Sequence, residues 1–406
     1  MNHRIIVSGM GLITSLGVGV EENWSNIRTG KSGLVKISNH EIPEDAGFWG
    51  GLISDIPACL LRDVSRRMDI SSILLLIAAQ EAFTQAGLLE DRMEKGYLIL
   101  GTSLGGIRCG EKYNKKIINE GTKRARPSWL LDYLAYSQGM HLAERFFDSA
   151  KVLTISNACA SGTNAIGYGY QLIKYGKAGF VAAGGYDVLS PYVLGGFNSL
   201  RLLARDKCRP FDKQRDGLIL GEGAGIMILE SEENFIKRGG DEFLGEIIGY
   251  GESNDAYHIT QPDPSGKGAV GAMSKAVEDA GLKPSQIQYI NAHGTGTLIN
   301  DKMEATAINN FFGESAIDIP VSSIKPMIGH LLGGAGAVEA IITLLALQHK
   351  ILPVNLNYEN PDPDCQLYVV TENSLWKDIR IGMSNSFGFG GMNASIVLKS
   401  IEKKGT

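Results

Sequence analysis

The strongest constraint on this chain is that it repeats itself. Residues 78–88, AAQEAFTQAGL, return at 272–282 as AMSKAVEDAGL, with the closing Ala-Gly-Leu identical. LILGTS at 98–103 is answered by YINAHGT at 289–295, IIVSGMG at 5–11 by IIGYGES at 247–253, and GEGAGIMILE at 221–230 by FGGMNASIVL at 389–398. Four matches in one order argue for two copies of a single unit, residues 1–240 and 241–406. Strand-length apolar runs alternate with helical spacing in both copies, so the expected class is α/β. Buried, largely parallel sheets would then be covered by helices, the halves meeting along a shared helical layer.

Along the first copy, Ile5–Val7 is expected as a strand stopped by Gly9-Met10-Gly11, Glu21–Arg28 as a short helix, and Ser65–Ala86 as a long amphipathic helix. Tyr97–Leu100 and Phe180–Ala183 are expected as strands, and Leu130–Phe147 as helical. Lys112–Trp129 is polar and basic.

Composition narrows the function classes. A net charge of −5 gives no global basic field, which argues against nucleic acid as a partner. Five cysteines, at 59, 109, 159, 208 and 365, are scattered without a C-x-x-C pair. That pattern argues against a disulfide framework or a zinc site and for a reducing cytosol, so the expected location is cytoplasmic. The most apolar windows, such as Ile73–Ala79, are too short to span a bilayer.

One cysteine stands out by its setting. In KVLTISNACASGTNAIGYGYQLIKYG, residues 151–176, a short apolar run meets small residues and then a helical pattern, which puts Cys159 on a strand-to-helix turn. Such a turn aims a thiol at substrate, and the free N–H groups of the following helix favour thiolate. If the halves are equivalent, the counterpart turn lies within Ser323–Gly336, where His330 begins a helix just after Lys325. His293 sits in NAHGTGT at a strand end, with Gly294 and Gly296 expected to let a ligand approach the backbone. A thiol with two neutral imidazoles suits acyl transfer followed by carbanion chemistry. NSFGFGGMNAS at 385–395 adds a glycine turn able to supply backbone donors, and the ligand count does not suit a metal.

Taken together, NACASG, HGTGT, SSIKPMIGHLLGGAGAVE and SFGFGG resemble the β-ketoacyl-acyl-carrier-protein synthases of the elongating Cys-His-His type, in the thiolase superfamily. The likeness extends to RPFDKQRDGLILGEGAG at 209–225 and NDAYHIT at 254–260. It implies a thiolase fold, with duplicated halves forming a five-layer αβαβα sandwich, usually as a homodimer. It further implies that Cys159 carries the acyl group, with the N–H groups of Cys159 and Phe389 as oxyanion hole. His293 and His330 would promote decarboxylation of malonyl carrier protein, and Lys325 with its carboxylate partner Glu339 would hold the site. Thr295 and Thr297 match residues that bond the pantetheine arm, and Phe389 matches a gate. No separate cofactor is implied, because both substrates ride on the phosphopantetheine of acyl carrier protein.

Acidic carrier protein would be steered by basic side chains, for which Arg62, Arg66 and Arg67, the cluster Lys123, Arg124 and Arg126, and Arg201 are the candidates. Leu104, Phe197 and Trp129 are expected to line the acyl pocket. Three departures stand out: a shortened segment before Arg209, Met392 in place of a threonine, and the aromatic PSWLLDYLAYSQG at 127–139. With Trp129, Tyr133 and Tyr136 narrowing the pocket, a specialised acyl chain is expected, short, unsaturated or polyketide-like. A thiolase would need a second cysteine in the glycine turn, which has none. The remaining alternative is a structural partner subunit of a ketosynthase heterodimer.

Overall fold

The computed structural model describes residues 3–37, 47–61, 68–89, 92–372 and 375–401. Arg62, Arg66 and Arg67 lie outside them. Eleven strands carry the architecture: β1 (Ile5–Thr14), β2 (Met93–Gly101), β3 (Phe147–Ile155), β4 (Phe180–Asp187), β5 (Gly223–Ser231), β6 (Gly245–Asn254), β7 (Ile290–Asn291), β8 (Pro320–Ser322), β9 (Tyr368–Val369), β10 (Ile381–Gly388) and β11 (Met392–Ser400). They follow one path, β9-β8-β7-β10-β11-β6-β1-β5-β4-β2-β3. The order from β1 outward, β5, β4, β2, β3, is matched from β6 outward by β11, β10, β7, β8, and the halves join where Ile5–Val7 pairs antiparallel with Gly245–Ile247.

Glycines explain one of the sequence repeats physically. A Cβ on Gly9 would lie 2.1 Å from the Ala82 carbonyl oxygen, and one on Gly249 would lie 2.1 Å from that of Ala276. Gly11 and Gly251 press in the same way on the carbonyls of Ala78 and Ala272. Each strand thus sits directly on its helix, Ile70–Gln85 or Lys267–Asp279, and each carries a register shift at the first glycine. Gly9-Met10-Gly11 therefore does not stop β1, which runs on to Thr14.

The layers follow from alternating side chains. Leu98, Leu100, Ile226 and Ile228 face the outer helices Ile70–Gln85 and Ser137–Phe146, whereas Ile99, Met227 and Leu229 face inward. The inner layer holds the helices Ser161–Lys174 and Ala335–His349, and beyond it the second half-sheet is covered by Lys267–Asp279 and Leu298–Phe312. Gly162 and Gly336 let the two central helices touch: a Cβ on Gly162 would meet Ala337 N at 2.8 Å. This is the five-layer αβαβα arrangement.

Several expectations need correction. The sheet is mixed, because β5 and β11 lie antiparallel beside β4 and β10. The long helix begins at Ile70, where the Asp69 side chain caps it, and is buried along most of its length instead of being amphipathic. Leu130–Phe147 divides into the helices Ser128–Tyr133 and Ser137–Phe146, and much of the basic stretch is the helix Ile107–Glu120. Leu332–His349 has the length and apolar composition to cross a membrane, which the window reading overlooked, but 89% of it is buried as the central layer.

Candidate active site

The thiol is set by a strained turn. β3 ends at Ile155, Ala158–Ala160 forms one tight turn, and the helix Ser161–Lys174 begins at once. Ala158 is held at φ 56°, a left-handed conformation unusual for alanine, and Ser161 Oγ donates to its carbonyl at 2.6 Å. In the second half Leu332, at φ 51°, opens the turn Leu332–Gly334 before the helix Ala335–His349. Gly333 thus stands where Cys159 stands, so duplication supplied two turns and only one thiol.

His330 reaches the thiol from the second half. Its N–H donates to Ile219 O (2.7 Å) and its carbonyl accepts from Gly221 N–H (3.0 Å), so the 209–225 segment clamps it. The Leu332 N–H donates to Nδ1 at 3.3 Å, which leaves the ring proton on Nε2, 3.0 Å from Cys159 Sγ. His293 lies edge-on to His330, ring centroids 5.2 Å apart. Its backbone N–H and that of Gly294 donate to the two Glu304 carboxylate oxygens at 2.8 and 2.7 Å. Lys325, 1% exposed, donates to the His293 carbonyl and to Glu339, itself 1% exposed.

Burial governs the charges here. It holds both histidines well below their ordinary pKa, and Lys325 pushes the same way, so the imidazoles are neutral donors at pH 7. Burial also pushes the Cys159 thiol up to about 12, against the pull of Lys325 and of the Phe389 N–H. Desolvation thus works against the thiolate that the helix start was expected to favour. The donor atoms of Cys159, His293 and His330 lie within 4.8 Å of one another, a spacing a metal ion can use. With Nδ1 engaged by Leu332, however, His330 Nε2 carries a proton and has no lone pair for an ion.

A cavity of about 340 Å³ opens on these groups, walled by Thr295, Thr297, Phe197, Phe389 and Arg201 among others. The Thr295 and Thr297 hydroxyls are 2.9 Å apart, and the Phe197 and Phe389 rings stack at 5.8 Å. A Cβ on Gly388 would lie 3.0 Å from Cys159 N, so the glycine keeps that N–H open toward the cavity. Gly294 and Gly296 serve another purpose than expected. Their positive φ brings the chain against Ser323 and Gly217, where protein, not ligand, fills the space.

Trp129 and Leu104 are not among the residues that wall this cavity. Trp129 lies away from the cavity beneath Lys112 (4.7 Å) and Arg126 (5.9 Å), because the Asp132 carbonyl docks on Gly106 and turns the segment outward. Tyr133 and Tyr136 are exposed there. Leu104 packs with Leu194, Leu332 and Phe197 in an apolar cluster behind the ring stack instead of on the cavity wall. Lys123 and Arg124 are exposed, and Arg201 is at the cavity mouth.

Sequence reasoning missed the supports. Asp301 accepts from the N–H groups of Phe211 (2.8 Å) and Thr295 (3.1 Å), holding the Thr295–Thr297 loop beside buried Arg215. Asp301 and Glu304 share the buried face of Leu298–Phe312, and carboxylates three residues apart among apolar positions were the available signal.

Comparison with known proteins agrees with this geometry. Residues 2–234 match the family model described as the β-ketoacyl synthase N-terminal domain, and 244–359 match the C-terminal domain. A 3-oxoacyl-[acyl-carrier-protein] synthase 2 from Synechocystis sp. is 37% identical over 412 residues, covering 98% of each chain. The solved ishigamide ketosynthase/chain length factor superposes with a TM-score of 0.92 at 32% identity, covering 99% of this chain and 100% of that one. A type II polyketide synthase ketosynthase, solved with its acyl-carrier protein and bound to the hexaketide, gives 0.89 at 31%, covering 99% and 100%.

Proposed function

This chain belongs to the β-ketoacyl synthase family, and from that premise we propose how its residues divide the work of an elongating β-ketoacyl-acyl-carrier-protein synthase. Sγ of Cys159 gives up its proton and attacks the thioester carbonyl of an acyl carrier protein, the carbon–sulfur bond to pantetheine breaks, and the pantetheine sulfur leaves with the proton that Cys159 released. The oxyanion forms in the space kept open by Gly388, between the N–H groups of Cys159 and Phe389. Malonyl carrier protein then enters past Thr295 and Thr297 and loses carbon dioxide. The enolate oxygen is held by His293 and His330, and its carbon attacks the acyl carbonyl, expelling the Cys159 thiolate.

The observation that carries this reading is the neutral imidazole of His330, its Nε2 proton 3.0 Å from Cys159 Sγ in a buried cavity. Incubation with acyl-loaded carrier protein, followed by intact mass, tests it. The acyl mass belongs on Cys159 and is absent in Cys159→Ala; label on another cysteine refutes the assignment.

We further propose that Lys123, Arg124 and Arg201 help steer the acidic carrier, and that both steps need no cofactor beyond its phosphopantetheine. We propose a cytoplasmic location for it. Leu131, Leu134, Tyr136 and Met140 are exposed beside β3, the terminal strand of the sheet path. A second subunit of the same fold, either another copy or a chain-length-factor-like relative, is proposed to cover this face. Its segment would complete an acyl pocket that one chain leaves filled by Leu104, Leu194 and Leu332. A specialised, polyketide-like chain is the favoured substrate, and carrier proteins loaded with graded chains test it: ready elongation of long saturated chains counts against it. Because Cys159, His293 and His330 are all retained, the silent-subunit alternative is disfavoured.

A further inference from the structure

Behind the thiol lies a buried carboxylate that the reaction steps do not use. Asp187 ends β4, is fully buried, and accepts four hydrogen bonds. Oδ1 accepts from Thr102 Oγ1 (2.6 Å) and Leu104 N–H (2.9 Å), while Oδ2 accepts from Ser103 N–H (2.8 Å) and Gly333 N–H (2.6 Å). Three donors come from one loop of the first half, which leads to Leu104. The fourth comes from the second half, one residue beyond Leu332, whose own N–H fixes the proton of His330.

The turn that Asp187 grips is a strained one. Leu332 is β-turn backbone at φ 51°, a conformation that a γ-branched residue keeps only where its surroundings enforce it. Packing leaves the turn little room to relax, since a Cβ on Gly333 would lie 2.5 Å from Ser103 N. The Thr102–Leu104 loop and the His330 turn therefore share one anchor, and Leu104 and Leu332 also touch the same apolar cluster behind the Phe197–Phe389 stack.

We infer that Asp187 is a positioning residue: by holding the Leu332–Gly333 turn it keeps the His330 proton on Nε2, and by the same bonds it ties that turn to the Leu104 loop. An acyl chain that displaces Leu104 would in this way be felt at the histidine needed for the second half-reaction. The inference rests on the division of labour proposed above only for its kinetic arm.

The test compares wild type with Asp187→Asn by histidine ¹⁵N NMR and by the two half-reactions measured separately. Asparagine keeps one acceptor oxygen and turns an NH₂ group toward the other pair of donors, so the four-bond anchor between turn and loop is weakened. The expected result is acyl transfer within about threefold of wild type, decarboxylation of malonyl carrier protein reduced at least about tenfold, and a His330 Nδ1 signal moved toward the protonated range. An unchanged His330 signal, or equal losses in both half-reactions, overturns the inference. If Asp187→Asn does not fold, Thr102→Val removes one donor alone and is expected to give the same pattern at smaller amplitude; normal values in all three readouts overturn it equally. Should wild type fail to decarboxylate malonyl carrier protein, the proposed function falls while the NMR signal still judges Asp187.

Discussion

Leu332 N–H donates to Nδ1 of His330, and that one backbone bond decides what the other side of the ring presents to Cys159. In the proposed reaction the Nε2 proton is a donor to sulfur before condensation and to an enolate oxygen during it. Replacing His330 with alanine is therefore expected to lower decarboxylation by about 10²- to 10³-fold while acyl transfer to Cys159 survives. Separate assays of the two half-reactions check this, and a parallel loss in both would contradict it.

Gly388 has φ −109°, so alanine fits its backbone without strain. The added methyl would sit 3.0 Å from Cys159 N and fill the oxyanion space. Gly388→Ala should reduce acylation roughly 10²-fold while the protein still folds cooperatively, read by acyl transfer and calorimetry. Wild-type acylation in this variant would remove Cys159 N–H from the oxyanion hole.

Lys325 and Glu339 form a pair almost without solvent contact. Lys325→Ala leaves a buried carboxylate with no compensating cation, and a loss of about 3–5 kcal/mol in unfolding free energy is expected. Chemical denaturation measures it. Lys325→Ala paired with Glu339→Leu should regain stability while activity stays low.

Burial holds the pKa values of His293 and His330 below the ordinary one, with Lys325 adding to the effect. Decarboxylation should thus show no titration near pH 6.5, where an ordinary histidine gains its proton. Below about 6.5 the unfolded chain binds protons that the folded chain refuses, so these two groups contribute stability that is lost as pH falls. A rate profile with a limb at 6.5 would show that His330 is solvated.

Cys159 behaves in the opposite sense, since burial raises its thiol to about 12. Alkylation by iodoacetamide in the free enzyme should speed up by nearly tenfold per pH unit from pH 7 to 9. A plateau in that range would mean that the helix-start donors outweigh desolvation after all.

How much of this was legible in the residues themselves can be judged from particular cases. The repeat of IIVSGMG and IIGYGES was visible as text because two strands each need bare glycines against a helix carbonyl. Cys159, His293 and His330 were visible because each lies in a small-residue turn, where local conformation leaves a mark on composition. The direction of β5 and β11 was not, since strand polarity depends on how the chain returns to a sheet and not on the strand's own pattern.

Trp129 illustrates the same limit. Its neighbours in sequence suggested a pocket wall, yet Gly106 receives the Asp132 carbonyl and turns the indole toward Lys112. Asp187 left almost no local signal, because its work is done on backbone N–H groups from distant segments. The chain by itself determined the duplication, the turns and the chemistry each turn can offer, all of which depend on short-range sterics and residue type. Only the tertiary structure decided that one turn keeps its thiol beside the other turn's imidazole, that burial works against charge on both, and that the buried Asp187 carboxylate joins the imidazole's turn to the Thr102–Leu104 loop, because desolvation and contact between halves exist only once the five layers have closed.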